Sequence, residues 1–230
     1  ANTAIMQNAT EIADGNRKYK NKLSAIERIN KSVSDYNERV NAALARLDQK
    51  LAEAYDLATE MRGSVVQVFG MDGEFETGSG TGFLVEPDVI ATNDHVIDFG
   101  SIDTDIFIRT IDGEVMRGEL IGTDSFGDVA FVKLPRPIDA EIFKISRELV
   151  EVGEPVIAVG HPGMIGNWVT MAGLVTKVGS EYFLDDDSRK YRDIDTSLPT
   201  SPGSSGSAIT RLDGVVVAIN SRKSFGESTP

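Results

Sequence analysis

Three short stretches of this 230-residue chain carry side chains suited to acyl transfer. They are Thr92–Asn93–Asp94–His95–Val96, then Gly127–Asp128–Val129–Ala130–Phe131–Val132–Lys133, then Pro202–Gly203–Ser204–Ser205–Gly206–Ser207–Ala208. A serine hydroxyl is a poor nucleophile until a histidine takes its proton, and a carboxylate orients that histidine and stabilises its charged form. His95, Asp128 and Ser205 are the candidates, 33 and 77 positions apart. Among the neighbouring serines only Ser205 has glycine both two places before it and one after it. Such glycines let the chain turn sharply, so that the amides of Gly203 and Ser205 can face a developing oxyanion. One such donor is worth about 2.7–4 kcal/mol in the transition state. Each stretch alone has an ordinary explanation: a histidine at a strand end, an acid opening a strand, a flexible Gly-Ser turn. The order His, Asp, Ser is what points to catalysis. His161, in Gly160–His161–Pro162–Gly163, reads as a turn residue with a structural or rim-lining role.

The rest of the chain must position these residues, and its texture changes once. Residues 1–62 hold 10 Lys and Arg against 9 Asp and Glu, with Gly15 the single glycine and no proline. Residues 63–230 hold 13 basic against 27 acidic residues, 21 glycines and all 8 prolines. A helical segment therefore precedes a β-rich domain, with Gly63 as the helix stop. With Leu23 at heptad position a, the a sites are Leu23, Asn30, Asn37, Leu44, Leu51 and Ala58, and the d sites are Ile26, Val33, Val40, Leu47, Ala54 and Met61. This pattern predicts a coiled coil over residues 18–62, with asparagines at a setting register. Ile29, Tyr36 and Leu57 at g widen the stripe, which suits a homo-oligomer of three or more strands, a trimer being favoured, or a dimer that also packs on its own globular domain. The alternative is an amphipathic helix folded back on its own domain. Beyond residue 63, short Val/Ile-rich runs recur: 64–70, 82–85, 89–92, 105–110, 114–121 and 128–134, then 155–160, 168–178, 190–196, 207–211 and 215–220. A linker rich in helix formers, 139–150, divides them. No βαβ-length helix intervenes, so two packed antiparallel barrels are expected, near 63–135 and 150–230.

Composition narrows the partners. The absence of cysteine rules out disulfides, thiol catalysis and Cys-ligated metals, and two histidines are too few for a His-rich zinc site. A net charge of −13 argues against non-specific binding to nucleic acid. The longest continuous apolar run, Val215–Ile219, is far short of a membrane span.

Residues 63–230 resemble the protease domain of the HtrA (DegP-like) trypsin-fold serine peptidases. The resemblance is carried by Gly78–Ser79–Gly80–Thr81–Gly82–Phe83, Thr92 to Val96, Asp128 to Lys133, Val152 to Gly160, Pro202 to Ala208 and Gly214 to Ser221. It implies a double antiparallel β-barrel and a serine endopeptidase that needs no cofactor. His95 would be the general base, Asp128 its orienting partner and Ser205 the nucleophile, with Gly203 and Ser205 forming the oxyanion hole. Ala218, Ile219, Asn220 and Ser221 would pair with the substrate backbone, and Thr200 would line the specificity pocket. A periplasmic or other extracytoplasmic setting is implied by the resemblance alone.

The chain also departs from that family. Ser207 stands where the family usually has a second glycine; the glutamyl endopeptidases carry serine there. No PDZ domain follows, and the sequence stops 25 residues after Ser205, consistent with a fragment or a barrel closed differently. Ser221–Arg222–Lys223 replace apolar residues, which would suit an acidic side chain at the cleavage position; the alternative is a solvent-facing loop and the family's preference for small aliphatic residues. Asp185–Asp186–Asp187 reads as a solvated acidic turn. Two rival functions remain at this level: a protease-like binding module in which the coiled coil does the work, and a viral or phage-type processing protease cut from a precursor.

Overall fold

A computed structural model of the chain describes residues 2–72, 75–98, 105–163, 167–179, 182–183 and 190–221. It divides into two compact units, 1–52 and 53–230. The first unit consists of helix α1, which spans Asn2–Met61 and so continues into the second unit. The helix starts earlier than the heptads suggest and runs through Gly15, where nothing crowds the backbone. Leu23, Ile26, Ile29, Val33, Tyr36, Val40 and Leu44 along the predicted stripe are all exposed. The last heptad behaves differently. Ala58 and Met61 are buried in the second unit, packed with Val65, Phe83, Phe143, Ile157, Val159 and Val216, and Ala54 and Leu57 flank them. A short 3-10 turn, Arg62–Ser64, then leads into the sheets.

Six strands form a closed antiparallel barrel: β1 (Val65–Asp72), β2 (Phe75–Glu86), β3 (Val89–Thr92), β4 (Asp105–Arg109), β5 (Val115–Asp124) and β6 (Val129–Lys133), in the order β1-β2-β3-β6-β5-β4. Val66, Val68, Leu84, Ile90, Ile108 and Val132 fill its interior. Val65, on the opposite face of β1, joins the cluster shared with α1 and the following sheet, so β1 is apolar on both sides. That sheet is open among the described residues. It contains β7 (Pro155–Gly160), β8 (Val169–Val178), β11 (Ile194–Thr196), β12 (Ala208–Thr210) and β13 (Val216–Ile219), in the order β11-β8-β7-β12-β13. A two-stranded ribbon of β9 (Tyr182–Phe183) and β10 (Lys190–Tyr191) completes the strands. Along β7 the alternation is clean: Ile157 and Val159 face the shared cluster, and Val156 and Ala158 face a third with Val150, Met171, Val175, Leu198 and Ile209. Each buried Val, Ile, Leu or Met side chain among these contributes about 1.5–3 kcal/mol by burial.

The linker rich in helix formers makes no helix. Its backbone, together with Ile138 just before it, is used as a strap: Ile138 N donates to Pro87 O (2.8 Å), Phe143 N to Leu84 O (3.2 Å) and Ser146 N to Val216 O (2.8 Å). These long-range bonds override local propensity. The mainly β reading therefore holds, with one closed barrel, one five-stranded sheet and a long N-terminal helix.

Candidate active site

His95 lies on α2 (Asp94–Ile97), a single helical turn that follows β3 directly. Asp128 precedes β6, the strand paired with β3, so the ladder brings the two residues together. His95 Nδ1 lies 2.9 and 2.8 Å from the two carboxylate oxygens of Asp128, and the His95 amide donates to Oδ1 at 3.1 Å. The acid is buried (1 % exposed) while the imidazole keeps 32 % of its side-chain surface in contact with solvent. Burial alone would raise the Asp128 pKa. Hydrogen bonds from Ser221 and from the main chain and ring of His95, with the ring's charge, outweigh it and hold the carboxyl below its usual range. Asp128 adopts a left-handed backbone (φ 54°), which aspartate tolerates better than most residues. Buried Asn93 supports that conformation by donating from Nδ2 to the Asp128 carbonyl at 2.7 Å.

The serine run folds as two consecutive β-turns. Ser204 N bonds Ser201 O at 2.9 Å, and Ser207 N bonds Ser204 O at 3.2 Å. Gly203 (φ 96°) and Gly206 (φ 86°) occupy the third position of each, where a type II turn needs positive φ. Pro202 and Ser205 take the second positions, so Ser205 stands at a turn corner. The flanking hydroxyls point elsewhere: Ser204 Oγ donates to Met171 Sδ at 3.8 Å, and Ser207 Oγ to Ser204 O at 2.6 Å. Among the described residues, the amides of Gly203 and Ser205 donate to no backbone carbonyl.

Thr81 of β2 ties this loop to the barrel. Its amide donates to Ser205 O (2.8 Å), its hydroxyl to Gly203 O (2.8 Å), and its carbonyl accepts from Thr92 Oγ1 (2.6 Å). Gly80, next to it, is pressed between the Val96 side chain and the Ser205 carbonyl, so the segment after His95 and the serine loop meet across one glycine. His161 is buried beneath them (1 % exposed), so of its two expected roles only the structural one fits. Its amide and Nδ1 contact Thr81 Oγ1 at 3.0 and 3.2 Å. The single Thr81 hydroxyl proton goes to Gly203 O, so Nδ1 must be the donor and the ring is the neutral Nδ1–H tautomer. Burial, with the charge of Arg109, lowers the His161 pKa to about 3. Trp168 packs edge-on against this ring (centroids 4.4 Å apart) and donates from Nε1 to Val65 O at 2.8 Å.

The expected substrate-binding residues divide by backbone direction. Asn220 N bonds Ser207 O (2.9 Å), and Asn220 O accepts from Gly206 N (2.8 Å). Ala218 is paired with Ile209 across β12. Peptide groups alternate along a strand, so Ile219 directs its own toward the outer edge of β13. Ser221 lies at the end of that edge, and its hydroxyl donates to Asp128 Oδ2 at 2.5 Å. Thr200 is exposed on the loop before the first turn, with its amide on Leu198 O at 2.8 Å. Arg222, Lys223 and the Asp185–Asp187 run lie outside the described residues. Sequence reasoning missed Thr81 and Asn93 as supports. Their signals, a threonine between two glycines and an asparagine two places before His95, are legible only once the partners are known.

A closed antiparallel barrel and a second antiparallel sheet, with an acid–imidazole pair on the first and a serine turn leading into the second, fit the double-barrel layout of the trypsin-fold serine peptidases. The chain belongs to the trypsin-like peptidase domain family, whose model matches residues 80–219. It is 37% identical over 154 residues to a probable periplasmic serine endoprotease, DegP-like, of Pseudomonas savastanoi pv. phaseolicola, covering 66% of this chain and 30% of that protein. It is 26% identical over 144 residues to the periplasmic serine endoprotease DegP of Escherichia coli K12, covering 61% and 29%. The chain thus spans about a third of the length of the curated relatives it matches. Among solved structures, Deg5 superposes with a TM-score of 0.60 at 22% identity, covering 75% of this chain and 85% of that one. The active form of the Rv3671c protease from M. tuberculosis gives 0.59 at 20% identity, covering 71% of each. These two likenesses bear on the fold.

Proposed function

We propose that the chain is a serine endopeptidase acting through His95, Asp128 and Ser205. The observation that carries this reading is the buried Asp128 carboxylate, both of whose oxygens lie within 2.9 Å of His95 Nδ1. That contact fixes the tautomer and leaves Nε2 to take the proton of Ser205 Oγ as it attacks the scissile carbonyl. The amides of Gly203 and Ser205 receive the oxyanion. His95 then protonates the leaving amine, and water, activated by the same ring, hydrolyses the acyl-enzyme. The mechanism requires no cofactor. Substrate enters as an extended strand along the outer edge of β13, where Ile219 presents its peptide groups, with Ser221 at the end of that edge and Thr200 beside the cleavage position. The DegP-like relatives are named periplasmic, which supports an extracytoplasmic setting.

Residues 1–62 serve assembly in this reading, with 63–230 as the catalytic part. The stripe from Leu23 to Leu44 is exposed in a single chain, and burying it against identical helices would return about 1.5–3 kcal/mol per large side chain. A homo-oligomer through residues 18–62, with a trimer as the favoured state, accounts for the broad stripe and the asparagines at a. Light scattering on the full chain measures the strand number, and a monomer at micromolar concentration would refute assembly.

The catalytic reading is tested by a fluorophosphonate probe beside a Ser205→Ala control. Labelling of the unmodified chain and its loss in the control are expected. An unlabelled chain at every concentration would instead favour a protease-like binding module.

A further inference from the structure

The amide of Ser205 is aimed from behind. A peptide unit is planar and trans, so its N–H and C=O point in opposite directions, and whatever grips the carbonyl orients the amide. The carbonyl across that peptide bond belongs to Ser204, and it accepts three hydrogen bonds. Ser207 Oγ donates at 2.6 Å, Asn220 Nδ2 at 2.8 Å and Ser207 N at 3.2 Å. Ser207 is fully buried, and its hydroxyl fits because Gly160 lies against it, where any Cβ would overlap Ser207 Oγ.

We infer that Ser207 and Asn220 are positioning residues, whose side-chain donors lock the Ser204–Ser205 peptide plane so that the Ser205 amide faces the oxyanion. The inference rests on the serine-endopeptidase reading and deepens it. It gives Ser207 a task that glycine at that position could not perform, because glycine has no hydroxyl to place on the carbonyl. It also moves Asn220 from the substrate edge to the reverse side of the catalytic loop. The companion amide, that of Gly203, is held by main chain alone: the Pro202 carbonyl across its peptide bond accepts from Gly163 N at 2.8 Å.

The test uses inactivation of the full chain by a fluorophosphonate. Ser205 Oγ bonds phosphorus, its proton passes to His95, and fluoride leaves, while the phosphoryl oxygen gains charge where the oxyanion would sit. The variants are Ser207→Ala, Asn220→Ala and the pair, each of which removes a donor without adding charge. Each single variant is expected to lower kinact roughly ten-fold with KI unchanged, as the loss of one well-placed hydrogen bond implies. The pair should lose about 10²–10³, the worth of one oxyanion donor. The pH midpoint of kinact should stay in place, because the His95–Asp128 contact is untouched. Unchanged kinact in folded variants, a loss confined to KI, or a moved midpoint would each overturn the assignment. Asn220 is only partly buried, so Asn220→Ala carries the test if Ser207→Ala does not fold. An unmodified chain that takes no label fails the endopeptidase reading itself, a result distinct from labelled variants that react normally.

Discussion

His161 shows how a single buried side chain sets a pH limit. Its pKa in the fold is about 3, against 6.5 for an ordinary imidazole, because burial and the Arg109 charge disfavour the cation. Between those values the unfolded chain binds a proton that the folded chain refuses, so stability falls as pH drops through this window. From pH 7 to pH 5 the loss attributable to His161 is about 2 kcal/mol. Urea denaturation at the two pH values checks this: a His161→Gln variant should lack that part of the slope, and equal slopes in both proteins would contradict it. Asp128 acts in the same direction, in the carboxylate range. Its depressed pKa stabilises the fold above the ordinary carboxylate range, and that contribution disappears as the acid is protonated. At this scale the sequence was readable where chemistry is local. His95, Asp128 and Ser205 stand out by type and spacing. Asn93 and Thr81 do not, because their partners are the Asp128 carbonyl, 35 residues away, and the Gly203 carbonyl, 122 residues away.

The two type II turns depend on glycine more strictly than the strands depend on any one side chain. A Cβ at Gly206 would overlap the Thr81 carbonyl, and one at Gly203 would overlap the His161 carbonyl, with φ strongly positive at both. Gly206→Ala is therefore expected to abolish fluorophosphonate labelling and to lower stability by more than about 1 kcal/mol, measured by urea titration. Labelling at the normal rate would show that the loop has another conformation available. Strands made of short continuous apolar runs, such as β3 and β7, begin and end where the sequence places them. The first half of β2 was hidden, because Phe75–Thr81 is rich in glycine, threonine and serine and carries no apolar alternation. The linker was misleading in the opposite sense: its helix formers are overruled by backbone bonds to β2 and β13 that no local window contains.

At the scale of the whole molecule, the helix serves two purposes along its length. Its last two turns belong to the hydrophobic cluster of the second unit, whereas the stripe before residue 45 is exposed. A chain beginning at Glu53 should therefore keep the thermal midpoint and label normally while losing self-association. One beginning at Gly63 forfeits the buried Ala58 and Met61, and loss of a buried methionine side chain alone costs about 2–5 kcal/mol. Calorimetry and light scattering on the two truncations separate these outcomes; equal midpoints would mean that the last heptad is dispensable. Trp168 doubles as a reporter. It is the chain's single tryptophan, and its indole bridges Val65 of the barrel and the His161 ring of the turn whose Gly163 grips the Pro202 carbonyl. Its intrinsic fluorescence is accordingly a built-in optical gauge of that turn. Stopped-flow emission could follow the catalytic loop as an inhibitor binds, without any dye attached.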